Sequence, residues 1–163
     1  VVFCPNYYED DGKIVTQARA LGLTAMFLGG DGWAGTAGYA AAEDLEGSLF
    51  CSAYAPGSTD KVKEFEAAYE AAYGEPVPNM FAALAYDAAQ LMCAALAKAE
   101  TTGEAPASDA YKQAVIDAIK SEGASVVGVT SANGYTFDAN NNPIKDSVIM
   151  TFADGVETFK EMY

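Results

Sequence analysis

Two hydrophobic rhythms alternate along this chain. Residues 1–4, 25–28 and 48–54 are short apolar runs rich in Val, Phe, Leu and Tyr. Continuous runs of this length suit strands buried on both faces of a parallel sheet. Between them the period lengthens. Ile14, Val15, Ala18 and Leu21 recur at helical spacing, and Gly22 follows as a C-terminal stop. A small-residue helix is predicted over about 34–45, ending before Gly47. Strand, helix, strand, helix, strand in this order predicts right-handed βαβ units.

After Pro56-Gly57 the character changes. Ser58-Thr59-Asp60 reads as the cap of a helix carrying Val62, Phe65, Tyr69 and Ala72. Gly74, Pro76 and Pro78 end it, and Asn79 stands where a long apolar helix begins. That helix is interrupted only by Asp87 and Gln90, which suits a buried helix rather than a membrane span. Ser108 caps another helix with Tyr111, Val115, Ala118 and Ile119 inward. From Ser125 the period is two, and Asn133-Gly134 predicts a hairpin between SVVGVT and YTF. SVIMTF is the last predicted strand, turned by Asp154-Gly155. The chain opens inside a strand pattern with no initiator Met or signal core, so it reads as a processed or excised piece.

Composition narrows the chemistry. With 51% apolar and 20% charged residues the chain is globular. Nine Lys and Arg face 23 Asp and Glu, a net charge of −14. That balance disfavours nucleic acid and anionic membranes, both of which recruit cations. There is no His, which excludes a Ser-His-Asp triad and a His-bearing zinc site. Arg19 is the one arginine, too few for a phosphate clamp. Cys4, Cys51 and Cys93 form no C-x-x-C and read as free thiols in apolar runs; a Cys4–Cys51 bridge requires their strands to be neighbours. The D-x-N-x-N of Asp138–Asn142 lacks the Gly and Glu of a calcium loop and reads as a β-turn. The acids Glu9–Asp11 suit a helix start. No cofactor and no metal is expected.

One pair of turns stands out. Tyr7 and Tyr8 follow the first strand pattern, and Gly29-Gly30-Asp31-Gly32-Trp33 follows the second. In open α/β sheets ligands bind beyond the carboxyl ends of strands. The spacing therefore places phenols and a carboxylate on one rim, with glycines that admit close backbone approach to a ligand and unusual φ/ψ. A carboxylate there would pair with an ammonium group, while the tyrosines offer apolar faces and a hydroxyl. GGDGWAG does not match the dinucleotide fingerprint.

The combination P-x-Y-Y, Q-A-R-x-x-G, G-G-D-G-W, A-A-L-x-Y-D and T-F-D-x-N-x-N-P resembles the latter half of type I periplasmic binding proteins. The resemblance is to the leucine/isoleucine/valine-binding group and covers essentially the whole chain. It implies an incomplete α/β lobe with a three-layer parallel sheet, from a two-lobed hinge protein. It implies that residues 1–54 belong to the C-terminal lobe, 55–143 return to the N-terminal lobe, and 144–163 come back. It assigns Asp31 to the ligand's α-amino group, Tyr7 and then Tyr8 to the pocket wall, and Trp33 to the mouth or to packing. No catalytic residue is implied. The implied role is the extracytoplasmic amino-acid-binding component of an ABC importer, made as an exported precursor or lipoprotein. Its partners would be a small amino acid, permease and ATPase subunits, and the missing N-terminal lobe or a homodimer mate. The alternatives are a sensory receptor module of the same fold, or a small α/β hydrolase using Asp31.

Overall fold

The computed structural model describes every residue, Val1–Tyr163. The chain divides into two compact units, Val1–Met80 with Asp146–Tyr163, and Phe81–Lys145. The division thus falls after Met80, and the helix predicted after Ser58 lies in the first unit.

The first unit is a five-stranded sheet. Its elements are β1 (Val2–Cys4), α1 (Tyr8–Ala20), β2 (Phe27–Gly29), α2 (Ala42–Leu45), β3 (Leu49–Ser52) and α3 (Asp60–Tyr73). We label the two closing strands of this unit, Val148–Ala153 and Val156–Met162, β6 and β7, after the two strands of the second unit. The strand order is β1-β2-β3-β6-β7. The first three strands are parallel, as expected, but β6 and β7 run antiparallel to their neighbours. Asp154 and Gly155 both take positive φ, so β6 turns tightly into β7 and the β6–β7 pairing needs no crossover helix.

One sheet face is the core of the unit. Cys4, Phe27, Phe50, Ser52, Val148, Met150 and Phe152 are all buried there. The opposite face is half-covered, and Phe3 is exposed on it. Cys4 and Cys51 are separated by β2 and both are free thiols. Arg19 is a brace: its guanidinium lies 4.9 Å over the Phe27 ring and donates to the carbonyls of Leu23, Ala25 and Asp44.

Two helix expectations fail instructively. α1 does not bury Ile14 and Leu21, which are exposed; its inner face is Asp11, Gly12 and Val15. Gly12 makes this face possible, since a Cβ there would stand 2.7 Å from Cβ of Tyr39. The helix predicted over 34–45 is replaced by two 3-10 turns, Asp31–Trp33 and Thr36–Gly38, and the single turn of α2. Gly35, at φ 100, breaks it. The caps were legible: Thr59 Oγ1 accepts from Val62 N–H and Gly74 ends α3 at φ 75.

The second unit carries α4 (Met80–Glu100, begun in the first unit), α5 (Asp109–Glu122), β4 (Thr136–Phe137) and β5 (Pro143–Ile144). Ser108 caps α5 by accepting from Tyr111 N–H. The predicted 125–130 strand does not form. Asp87, inside α4, takes the N–H groups of Val129 (2.8 Å) and Thr130 (2.7 Å) and both hydroxyls of Thr130 and Tyr135. Those backbone donors cannot also serve a strand ladder. The hairpin therefore forms elsewhere, β4 against β5, around Asp138. Asp138 accepts from the N–H groups of Asn140 and Asn142, which makes DANNN a turn.

α4 is not the fully buried helix expected. It is long and apolar enough to cross a membrane by length and composition alone. Ala83, Asp87, Ala95 and Ala99 are buried, whereas Phe81, Tyr86, Met92 and Leu96 are each more than a third exposed. From Met80 to Ala97 the only charge is the buried Asp87.

Candidate functional site

The parallel register Cys4↔Gly29 ends β1 and β2 side by side, so the turns that follow them are neighbours. Trp33 joins the two turns: its indole N–H donates to the Cys4 carbonyl at 2.9 Å. Gly32 lies against the other turn, and a Cβ on it would be 3.3 Å from Cα of Tyr7. The rim expected from the spacing is thus assembled, with Asp31 and Tyr7 both exposed on it.

The glycines act by close approach rather than by unusual backbone. Gly30 is extended at φ −84, and neither Gly29 nor Gly32 has positive φ. Gly29 is needed because the Trp33 ring lies directly on its Cα, where any Cβ would overlap it. Gly30 has nothing within 4 Å of a Cβ position, leaving open space beside Asp31.

The four expected site residues divide into two pairs. Asp31 and Tyr7 are presented to solvent; Tyr7 is the N-cap residue of α1. Trp33 has no exposed surface and packs between Phe27 and Phe152, at ring distances of 6.5 and 6.2 Å. The structure gives it the packing role. Tyr8 begins α1 and its ring lies 5.4 Å from that of Tyr39, so it supports the turn after Gly35.

Beneath the rim sits a carboxylate that the sequence had suggested only as part of an acidic helix start. Asp11 has no exposed surface. Asn6 reaches one oxygen at 3.5 Å, and the other oxygen has no partner. Burial raises its pKa above the ordinary 3.8, with the Asn6 bond opposing and the Asp10 charge adding. The Cys4 thiol is also raised, by burial and then by the Asp11 charge. The linkage sign follows: the folded state keeps a proton that the unfolded state has lost. Stability from Asp11 is full below the ordinary value and is lost as pH rises through the raised one. Asp11→Asn is therefore expected to melt a few degrees above the parent near neutral pH and alongside it near pH 4, the unfolded value being about 3.9. Thermal melts at both pH values check this; a variant less stable at neutral pH would contradict it.

A second feature borders the site. Ala34, Phe50, Ser52, Tyr54, Asn79 and Glu157 help line a small cleft of about 70 Å³. Tyr54 donates to Glu66, and burial with that bond pushes its phenol well above the ordinary range.

Comparison with known proteins decides the family. The family described as Periplasmic binding protein matches residues 1–156. The chain belongs to the periplasmic binding protein family. Among solved structures, the branched-chain amino acid transporter substrate-binding protein LivJ of Streptococcus pneumoniae, in complex with isoleucine, is 32% identical. The match covers 97% of this chain and 43% of that one, with a TM-score of 0.74. The leucine-binding protein LivK of Thermotoga maritima is 26% identical over 98% of this chain and 43% of its own, TM-score 0.75. A Rhodopseudomonas palustris protein at 22% identity shares the fold, TM-score 0.79, over 95% of this chain and 46% of its own. No curated protein matches the chain at comparable significance. This periplasmic binding protein chain spans less than half the length of these structures, and its parallel-rich α/β unit is a partial type I lobe.

What sequence reading missed in this periplasmic binding protein is the underside of the rim. Asp11 bonds Asn6, Tyr39 packs on Tyr8 and against Gly12, and Glu157 accepts the Gly35 N–H beyond the second turn. The one available signal was Gly12, a glycine inside a helical pattern, which marks a close packing partner.

Proposed function

We propose that this chain carries the amino-acid-binding half-site of an extracytoplasmic solute-binding component of an ABC importer. The supporting observation is Asp31, an exposed carboxylate beyond β2, on the same rim as Tyr7 beyond β1. Asp31 takes the ligand's α-ammonium as a charge-assisted bond. Tyr7 covers the ligand with an aromatic face and a hydroxyl. Tyr8 and Trp33 hold the two turns from behind. The ligand class is a branched-chain or other small amino acid, in keeping with the leucine- and isoleucine-binding proteins the chain resembles. The protein binds and presents, without bond chemistry, and hands its ligand to the membrane permease subunits of an importer driven by ATPase subunits.

The same reading explains α4. In the intact parent, Phe81–Lys145 belongs to a second lobe, and the remainder of that lobe covers the uncharged outer face of α4. Leaving that face in water is unfavourable by about 25 cal/mol per Å². Capture then proceeds by hinge closure of two lobes on the amino acid.

The test replaces the matching 43% of the Streptococcus pneumoniae protein by this chain and titrates isoleucine calorimetrically. The graft is expected to bind, and Asp31→Ala within it to lose roughly 2–5 kcal/mol, the scale for stranding a buried charge partner. Affinity unchanged by Asp31→Ala would remove Asp31 from the site.

A further inference from the structure

The Asp31 turn continues into a segment with little regular structure of its own. Between its two 3-10 turns, Gly35 sits at φ 100. Backbone N–H groups that converge around a left-handed residue form a concavity that attracts anions. Here the anion comes from 122 residues away. Glu157, near the start of β7, accepts the Gly35 N–H at 2.6 Å. Glu157 pairs with Phe152 across β6 and β7, and Phe152 is the residue that packs on Trp33. Adjacent strands thus clamp the same turn at two points. Phe152 holds the indole, and Glu157 holds the backbone just beyond it. Thr36 links the two points by donating to the Trp33 carbonyl at 2.7 Å.

We propose that Glu157 is a positioning residue that holds the Asp31 turn in its ligand-accepting shape by anchoring the Gly35 N–H. The inference rests on the reading of Asp31 as the ammonium acceptor. Glu157 itself touches no ligand. It is half-buried, and burial raises its pKa against the pull of the nearby Gly35 and Ala37 backbone. A carboxylate kept there at a desolvation cost has a compensating task, and the backbone bond supplies one. Without it, the Gly35 N–H, four residues after Asp31, loses its acceptor, and the turn is free to shift about Trp33.

The experiment compares Glu157→Ala and Glu157→Gln. In this chain, amide exchange at Gly35 is measured by NMR, with and without acetate. Glu157→Ala is expected to speed the Gly35 amide at least tenfold, and added acetate to restore protection by taking the place of the carboxylate. Glu157→Gln keeps an acceptor oxygen and is expected to exchange nearly as the parent does, which also covers the case in which the Ala variant fails to fold. In the graft, Glu157→Ala is expected to weaken isoleucine binding at least tenfold and Glu157→Gln to recover most of it. Unchanged exchange in Glu157→Ala overturns the proposal. Faster exchange with unchanged affinity, where Asp31→Ala abolishes binding, also overturns it and leaves Glu157 merely structural. If Asp31→Ala has no effect either, the Asp31 reading fails as well, and the exchange data alone then report the anchor.

Discussion

Gly29→Ala is expected to destabilise the first unit by about 3–5 kcal/mol, the cost of losing a buried aromatic from a core. The methyl would overlap the five-membered ring side of Trp33. The indole cannot retreat. It has no exposed surface, its N–H is bonded to Cys4, and Phe27 and Phe152 flank it. Overpacking alone typically costs about 1–3 kcal/mol, and here relief requires expelling the ring and giving up its hydrogen bond. Gly30→Ala is the matched control. It has φ −84 and open space around the Cβ position, so it should stay within about 0.5 kcal/mol of the parent. Trp33 is the sole tryptophan, so urea titrations followed by its fluorescence read both variants directly. The Gly29 variant should show red-shifted emission before unfolding. Equal stabilities for the two variants would contradict the packing argument.

The second large effect belongs to Asp87. Its carboxylate accepts from Val129 N–H, Thr130 N–H, Thr130 Oγ1 and Tyr135 Oη, and all four bonds are buried. The Tyr135 phenol is pushed well above its ordinary range by burial and by this carboxylate, with the Thr130 hydroxyl opposing. Asp87→Ala leaves two backbone donors with no acceptor, at about 1–3 kcal/mol each. The two hydroxyls, 2.7 Å apart, can still satisfy one another. The expected loss is therefore about 2–6 kcal/mol, confined to the second unit. Asp87→Asn keeps one acceptor but turns an NH₂ toward donors, and should cost about half as much. Asp117→Ala, an exposed acid on α5 bonded only to Gln113, should be near neutral. Hydrogen exchange resolved by segment measures the effect; protection lost across 128–135 while β1–β3 keep theirs is the expected pattern. A loss below about 1 kcal/mol would mean that water replaces the carboxylate without penalty.

These two sites show where local pattern stops being informative. SVVGVT alternates as a strand should, yet the Asp87 side chain intercepts its donors from a helix more than 40 residues earlier. A period-two pattern records which residues prefer half-burial, and records nothing about which acceptor reaches them first. The failure over 34–45 has a different cause. Small residues there satisfied a helical count, but Gly35 adopts φ 100 and Trp33 is drawn into the sheet core. Burial of one large aromatic outweighs a few weak helix preferences. α1 shows the same in reverse: Ile14 and Leu21 look inward by spacing, but the glycine at position 12 lets Tyr39 approach the other face.

By itself the sequence determined the order of elements through α5, the caps at Thr59 and Ser108, the turn at Asp154-Gly155, and a family likeness that the family match bears out. It also placed Tyr7 and Asp31 at successive strand ends, because strand-turn chemistry is local and needs only a few adjacent residues. Tertiary structure decided the rest. It set β6 antiparallel to β3, buried Trp33 and Asp11, left the outer face of α4 open, and brought Glu157 to Gly35. Each of these depends on contacts between residues far apart in the chain. Their free energy comes from desolvation and close packing that exist only once the sheet has formed.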